Sequence, residues 1–150
     1  PNETVRRAEP LDWTDYIGHM NEARYLTAFA DATDRLMLMM GCGPAYIAEK
    51  GSFFTVETHI RHLAEVHAGE VISIRTQALQ AEGKKLHLFH EMRVGGRLAA
   101  SGEHMLLHVS LETRATSEPV SPLADNMAAV HLAHQALPRP DGAGAAVGTR

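Results

Sequence analysis

The run Asp12-Trp13-Thr14-Asp15-Tyr16-Ile17-Gly18-His19-Met20-Asn21 gathers two carboxylates, a glycine, a histidine and an asparagine within ten residues. Such a set suits chemistry at a carbonyl carbon. Gly18 permits the tight backbone that turns successive amides toward one point. A helix starting directly after it supplies unpaired N–H groups and the positive end of the helix dipole, a place to hold a developing oxyanion. Asp15, three residues before Gly18, stands where it could act as general base on water or as nucleophile on the carbonyl carbon. The same residues also read as ordinary turn and cap residues, with His19 on the surface, and the pattern alone leaves both readings open.

The neighbouring segment positions those residues. From Asn21 to Met40, Leu26, Phe29, Thr33, Leu36, Met37 and Met40 recur at three- and four-residue steps, with Arg24, Asp31, Asp34 and Arg35 on the other side. This predicts an amphipathic helix of about 19 residues, roughly 28 Å long. Asn21 is a favoured N-cap, Glu22 suits the positive end of the dipole, and Gly41-Cys42-Gly43-Pro44 supplies the stop. A short second helix or turn is expected over Ala45 to Lys50.

The period then changes from 3.6 to 2. Strands are predicted over Phe54–Leu63, Val71–Leu79, Leu86–Val94 and Leu98–Val109. In the second, Ile72, Ile74, Thr76 and Ala78 share a face; in the last, Ala99, Met105, Leu107 and Val109 are read as sharing one. Turn signals separate the strands, with Gly95-Gly96 a good two-residue hairpin loop. A brief strand before Pro10 makes a fifth. Residues 112–122 read as a surface linker, Ala124–Leu137 as a last helix, and the small-residue segment beyond Pro138 as a flexible tail. The class is α+β, a long helix burying its stripe against an antiparallel meander.

The chain has 150 residues, 45% hydrophobic and 21% charged, which makes one domain with enough apolar surface for a core. A net charge of −4 offers no basic surface for nucleic acid or anionic lipid. Cys42 stands alone, which excludes an internal disulfide and a multi-cysteine zinc site, and its place past a helix C-terminus disfavours a thiolate nucleophile. No run approaches the roughly 18 apolar residues of a membrane span. Pro1 to Glu9 shows no signal-peptide pattern, so a cytoplasmic location is expected. Among the ten histidines, His59 and His62 point to opposite faces of a strand, as do His87 and His90. His104 and His108 share a face about 13 Å apart, too far for one ion, and no metal is expected.

The run Asp15-Tyr-Ile-Gly-His-Met-Asn21, followed by Arg24-Tyr25-Leu26 and the long helix, resembles the signature of the hotdog-fold acyl-CoA thioesterases of the hydroxybenzoyl-CoA type. The order helix, Phe54-Thr-Val-Glu-Thr-His-Ile-Arg-His-Leu63, meander is similar along residues 5 to 110. Within that group, Phe53-Phe-Thr-Val-Glu57 and Leu86-His-Leu-Phe-His-Glu-Met92 most resemble the betainyl-CoA thioesterases of carnitine breakdown.

The resemblance implies a single hotdog domain over residues 1–137, a long central helix wrapped by a five-stranded antiparallel sheet, with residues 138–150 as the tail. It implies hydrolysis of an acyl-CoA thioester to free acid and CoA, with a short polar acyl group such as betainyl. Asp15 matches the acidic residue of the pre-helix loop, and amides around Gly18 to Glu22 would polarise the carbonyl. Asn21 would hold the loop, and His19 would take part or shape it. An acyl group with a trimethylammonium head would suit aromatic faces and a carboxylate, for which Trp13, Tyr16, Tyr25, Phe53, Phe54 and Glu57 are candidates. The CoA phosphates need cations, with Arg61, Lys84 and Lys85 first in line and Arg93 and Arg97 behind them. No cofactor is expected beyond CoA as part of the substrate. The family dimerises sheet edge to sheet edge with its sites at the interface, so a homodimer or dimer of dimers is expected. A hotdog enoyl-CoA hydratase and a non-catalytic acyl-CoA-binding module are the alternatives; Asp15 and His19 stand four apart, where the hydratases tend to have five.

Overall fold

A computed structural model describes residues 1–8 and 18–149. The elements run β1 (Asn2–Ala8), α1 (Glu22–Met39), α2 (Pro44–Glu49), β2 (Ser52–His62), β3 (Val71–Glu82), β4 (Lys85–Val94), β5 (Arg97–Val109) and α3 (Leu123–Gln135). The five strands form one sheet in the order β1-β3-β4-β5-β2, every neighbour antiparallel. β1 and β2 are its edges.

Helix α1 lies on the sheet through Tyr25, Ala28, Phe29, Ala32, Thr33, Leu36 and Met37. Phe29 is fully buried above Gly102 of β5, where an added Cβ would come within 2.7 Å of the ring. The glycine thus makes the seat for the largest fully buried side chain of the helix. Leu26, expected in the buried stripe, is 46% exposed. The small Ala28 and Ala32 let the helix settle deeply, which turns Tyr25 rather than Leu26 onto the sheet. Gly95 and Gly96 both take positive φ, 56° and 84°, and close the β4–β5 hairpin between the paired Val94 and Arg97. Left-handed conformations at both positions match the strand twist, which is why a Gly-Gly pair serves there.

The face assignment along β5 is corrected. Gly102, His104, Leu106 and His108 are buried through the middle of the strand, where Met105 and Leu107 are only half-buried, while Ala99 and Val109 at its two ends are buried, as are Ala100 and Ser101. Two core histidines made the inward face look polar. Each is housed by hydrogen bonds: Thr58 Oγ1 lies 3.2 Å from His104 Nδ1, and Tyr46 Oη 2.8 Å from His108 Nε2.

β1 covers β3 only as far as Thr76. Beyond it α3 takes over the edge with side chains. His134 Nδ1 accepts from the Ala78 amide at 2.9 Å, His131 Nδ1 from the Ala81 amide at 3.0 Å, and Gln135 Nε2 donates to the Leu79 carbonyl at 2.8 Å. An open strand edge is thereby blocked against further pairing. After Pro138 the chain makes turns against the outside of the sheet, where the Gly144 amide donates to the Glu103 carboxylate at 2.8 Å.

Candidate active site

The start of α1 is built as the sequence implies. Asn21 is extended (φ −63°, ψ 139°), and its Oδ1 accepts from the Ala23 amide at 2.9 Å. Gly18 takes φ +83°, a left-handed turn that favours glycine. The Met20 amide donates to the Val66 carbonyl at 2.7 Å, and His19 bridges to His67, so residues 18–20 are stitched to the segment after β2. A cleft of about 500 Å³ opens beside this corner, walled by His19, Glu22, Tyr25, His62 and Glu65. Tyr25 is buried and meets His62 edge-on at 4.7 Å. Trp13, Asp15 and Tyr16, the remaining residues proposed for this corner, lie outside the described residues.

A larger cavity, about 680 Å³, runs between the outer flank of α1 and strands β2 and β5. Thr33, Asp34, Phe53, Thr55, Thr58 and His104 line it along with apolar side chains. Partial burial pushes the Asp34 carboxyl above its ordinary value, and Asp31, three residues earlier, adds to this. Burial lowers the His104 imidazole to about 4, so it is neutral at pH 7. Its Nε2 is buried without a hydrogen-bond partner among the described residues. Behind it, His90 is fully buried between Thr33 Oγ1 at 2.8 Å and Thr76 Oγ1 at 2.7 Å, and desolvation holds it well below the usual histidine range. Cys42 also reaches this cavity. Burial pushes its thiol upward, against a hydrogen bond with Ser52 that lowers it.

Gly18, His19, Asn21 and Tyr25 therefore gather at the helix start, whereas Phe53 lies in the second cavity. Phe53 and His62 are nine positions apart on β2, about 30 Å at the rise of a strand. Phe54 is 49% exposed, and Glu57 faces the tail near His87 and Glu103. These three do not converge with Tyr25 in one protomer. Arg61 pairs with Ser101 and Lys85 with Leu107 along β5, six positions or about 20 Å apart. Arg61 also lies against Gly142 of the tail, so Arg61, Lys84 and Lys85 form no common patch within one protomer. Arg93 is paired with Glu91 and Arg97 with Glu70, each at 3.4 Å.

Two features escaped the sequence reading. Asp34 looked like part of the solvated face of α1, and the sole hint of His104 was its place in an apolar run. His19, Glu65 and His67 also come together, with donor atoms within 4.8 Å of one another. That is close enough to hold one divalent ion. It equally makes an ion-pair triad, since both imidazoles approach the same Glu65 oxygen, at 3.4 and 3.7 Å.

A long helix on a five-stranded antiparallel sheet, with a capped glycine corner at the helix start, is the hotdog architecture. Residues 10–147 match the thioesterase-like superfamily, and the chain belongs to it. A Ruegeria pomeroyi protein named L-carnitine dehydrogenase/betainyl-CoA thioesterase is 55% identical over 98% of this chain, which spans 30% of that protein's length. The betainyl-CoA thioesterase of Pseudomonas aeruginosa is 38% identical over 91% of this chain and 88% of its own. A Staphylococcus aureus protein solved in complex with CoA shares the fold, with a TM-score of 0.91 at 21% identity over 99% of this chain and 96% of that one. Among the described residues no helix is long and apolar enough to cross a membrane.

Proposed function

We propose that this chain is an acyl-CoA thioesterase domain that hydrolyses betainyl-CoA to betaine and CoA. The observation that carries this is the match to the Pseudomonas aeruginosa betainyl-CoA thioesterase, which extends over 88% of that protein's length. The corner at Gly18 to Asn21 supports the chemistry. With Met20's amide held by Val66, the thioester oxygen would be met by other amides around Gly18 to Glu22. They stand at the positive end of α1, where a developing oxyanion is stabilised. Asp15 either draws a proton from water or attacks the carbonyl carbon itself. In both routes water oxygen ends on the acyl group, the C–S bond breaks, and the CoA thiolate takes the proton. His19 shapes the loop through its bridge to His67, and Asn21 fixes the helix start. No cofactor enters the reaction.

The working unit in this reading is a homodimer paired along β2. That strand is an edge, and Phe54 and Val56 on it are about half exposed, at 49% and 54%. Antiparallel pairing of two copies about Glu57, the middle of Ser52–His62, lays the Phe53 end of one strand beside the His62 end of the other. Two half-sites that lie about 30 Å apart in one protomer then meet across the interface. The CoA phosphates would be held by cations from both copies, with Arg61, Lys84 and Lys85 as the candidates.

The test is thiol release from betainyl-, acetyl-, hydroxybenzoyl- and palmitoyl-CoA, monitored with a thiol-trapping dye. Highest kcat/KM on betainyl-CoA is expected. Binding of all four without release would instead support a non-catalytic module.

A further inference from the structure

The cavity between α1 and β2 carries charge of one sign only. Among the described residues that line it, Asp34 is the one carboxylate and there is neither lysine nor arginine. His104 on its wall is neutral at pH 7, so it contributes no positive charge. Asp34 has no ion-pair partner among the described residues, while its neighbour Asp31 is taken up by Arg7 at 3.0 Å. The lining thus carries a single negative charge beside the aromatic ring of Phe53. Two of the hydroxyls around it are already engaged by imidazoles, Thr33 by His90 and Thr58 by His104. Nε2 of His104, a residue only 3% exposed, has no hydrogen-bond partner among the described residues.

We infer that this cavity seats the cationic head of the acyl group, with Asp34 as its counter-charge and Phe53 as an aromatic wall. A quaternary ammonium donates no conventional hydrogen bond. It is recognised by a nearby negative charge and by the faces of aromatic rings, which is what these walls offer. An anionic acyl group would meet Asp34 as a like charge. An alkyl group would strand a desolvated carboxylate against methylenes, an unfavourable burial. The cavity therefore selects a monocation over a neutral group of the same shape. The inference rests on the betainyl-CoA reading and names the residue that would enforce it.

The test compares two substrates that differ by one atom, betainyl-CoA and 3,3-dimethylbutanoyl-CoA, in which carbon replaces the quaternary nitrogen. kcat/KM is measured for both with the wild-type chain, Asp34→Asn and Asp34→Glu. Asp34 is on the exposed side of α1 and Asn is its isostere, so the variant is expected to keep the wild-type circular dichroism spectrum. Loss of a partly desolvated charge pair should reduce kcat/KM for betainyl-CoA about thirtyfold in Asp34→Asn. The neutral isostere should gain, since it no longer faces a carboxylate, and Asp34→Glu should recover part of the betainyl rate. A betainyl-to-isostere ratio unchanged by Asp34→Asn, in a wild type that does prefer betainyl-CoA, overturns this inference alone. A wild type that hydrolyses other acyl-CoAs but rejects betainyl-CoA overturns both this inference and the proposed substrate.

Discussion

Replacing His134 tests whether α3 guards the open edge of the sheet. Its Nδ1 accepts the amide proton of Ala78, a residue with no exposed surface, and His134 itself is only 7% exposed. In His134→Ala that amide keeps its place beneath the helix but loses its acceptor. A buried donor left unsatisfied costs about 1–3 kcal/mol. For a domain of this size that is a fall in Tm of about 4–8 °C at the middle of the range. Asn can place Oδ1 near the position of Nδ1, so His134→Asn should recover most of the loss. The pH dependence carries a sign. Burial lowers the folded imidazole below its ordinary value, and only the neutral ring can accept from Ala78. The contribution is therefore complete above the unfolded pKa of about 6.5 and fades as pH falls from there toward the folded value. Thermal melts at pH 7.5 and pH 5.5 should show the wild type losing its advantage over His134→Ala at the lower pH. A Tm for His134→Ala within about 1 °C of wild type at pH 7.5 (less than about 0.5 kcal/mol) would refute the edge-guard argument.

Other consequences are as direct. Asn21→Ala should lose about 1 kcal/mol of stability through its cap bond to Ala23, with Asn21→Ser largely neutral, as read by chemical denaturation. Gly102→Ala drives a methyl to 2.7 Å from the Phe29 ring, and the resulting overpacking should cost about 1–3 kcal/mol in the same assay. If each site joins the Asp15 corner of one protomer to the Asp34 cavity of its partner, co-refolded Asp15→Asn and Asp34→Asn chains should recover about a quarter of wild-type betainyl-CoA turnover. Half the dimers are then mixed, and one of the two sites in each is intact. No recovery above the sum of the separate variants would place both residues in one protomer's site.

Much of the fold could be read from local signals. The stripe of α1, the Asn21 cap and the Gly95-Gly96 hairpin each arise from a period or a turn requirement that acts over a few residues. The misreadings arose where packing overrides pattern. Leu26 looked buried because Leu fits an apolar stripe, yet the depth allowed by Ala28 and Ala32 decides which flank meets the sheet. The inward face of β5 was misassigned because His104 and His108 read as polar, although Thr58 and Tyr46 satisfy them inside. The task of α3 rests on β1 ending at Thr76, a register that no local pattern records. The site divides in the same way. The helix-start corner was legible as a motif, and its chemistry came through resemblance, since the spacing alone also fitted a cap and turn. That Tyr25 lies against the His62 end of β2 while Phe53 is at the other end is a fact of how α1 packs on the sheet, as is the gathering of Asp34 with His104.

Thioester hydrolysis carried by Asp15 is tested most directly by kcat for betainyl-CoA with wild type and Asp15→Asn side by side. Circular dichroism checks that both are folded. The folded variant should lose at least about a hundredfold in kcat, the contribution of a positioned base or nucleophile. A folded Asp15→Asn that turns over betainyl-CoA at close to the wild-type rate would contradict the role given to Asp15.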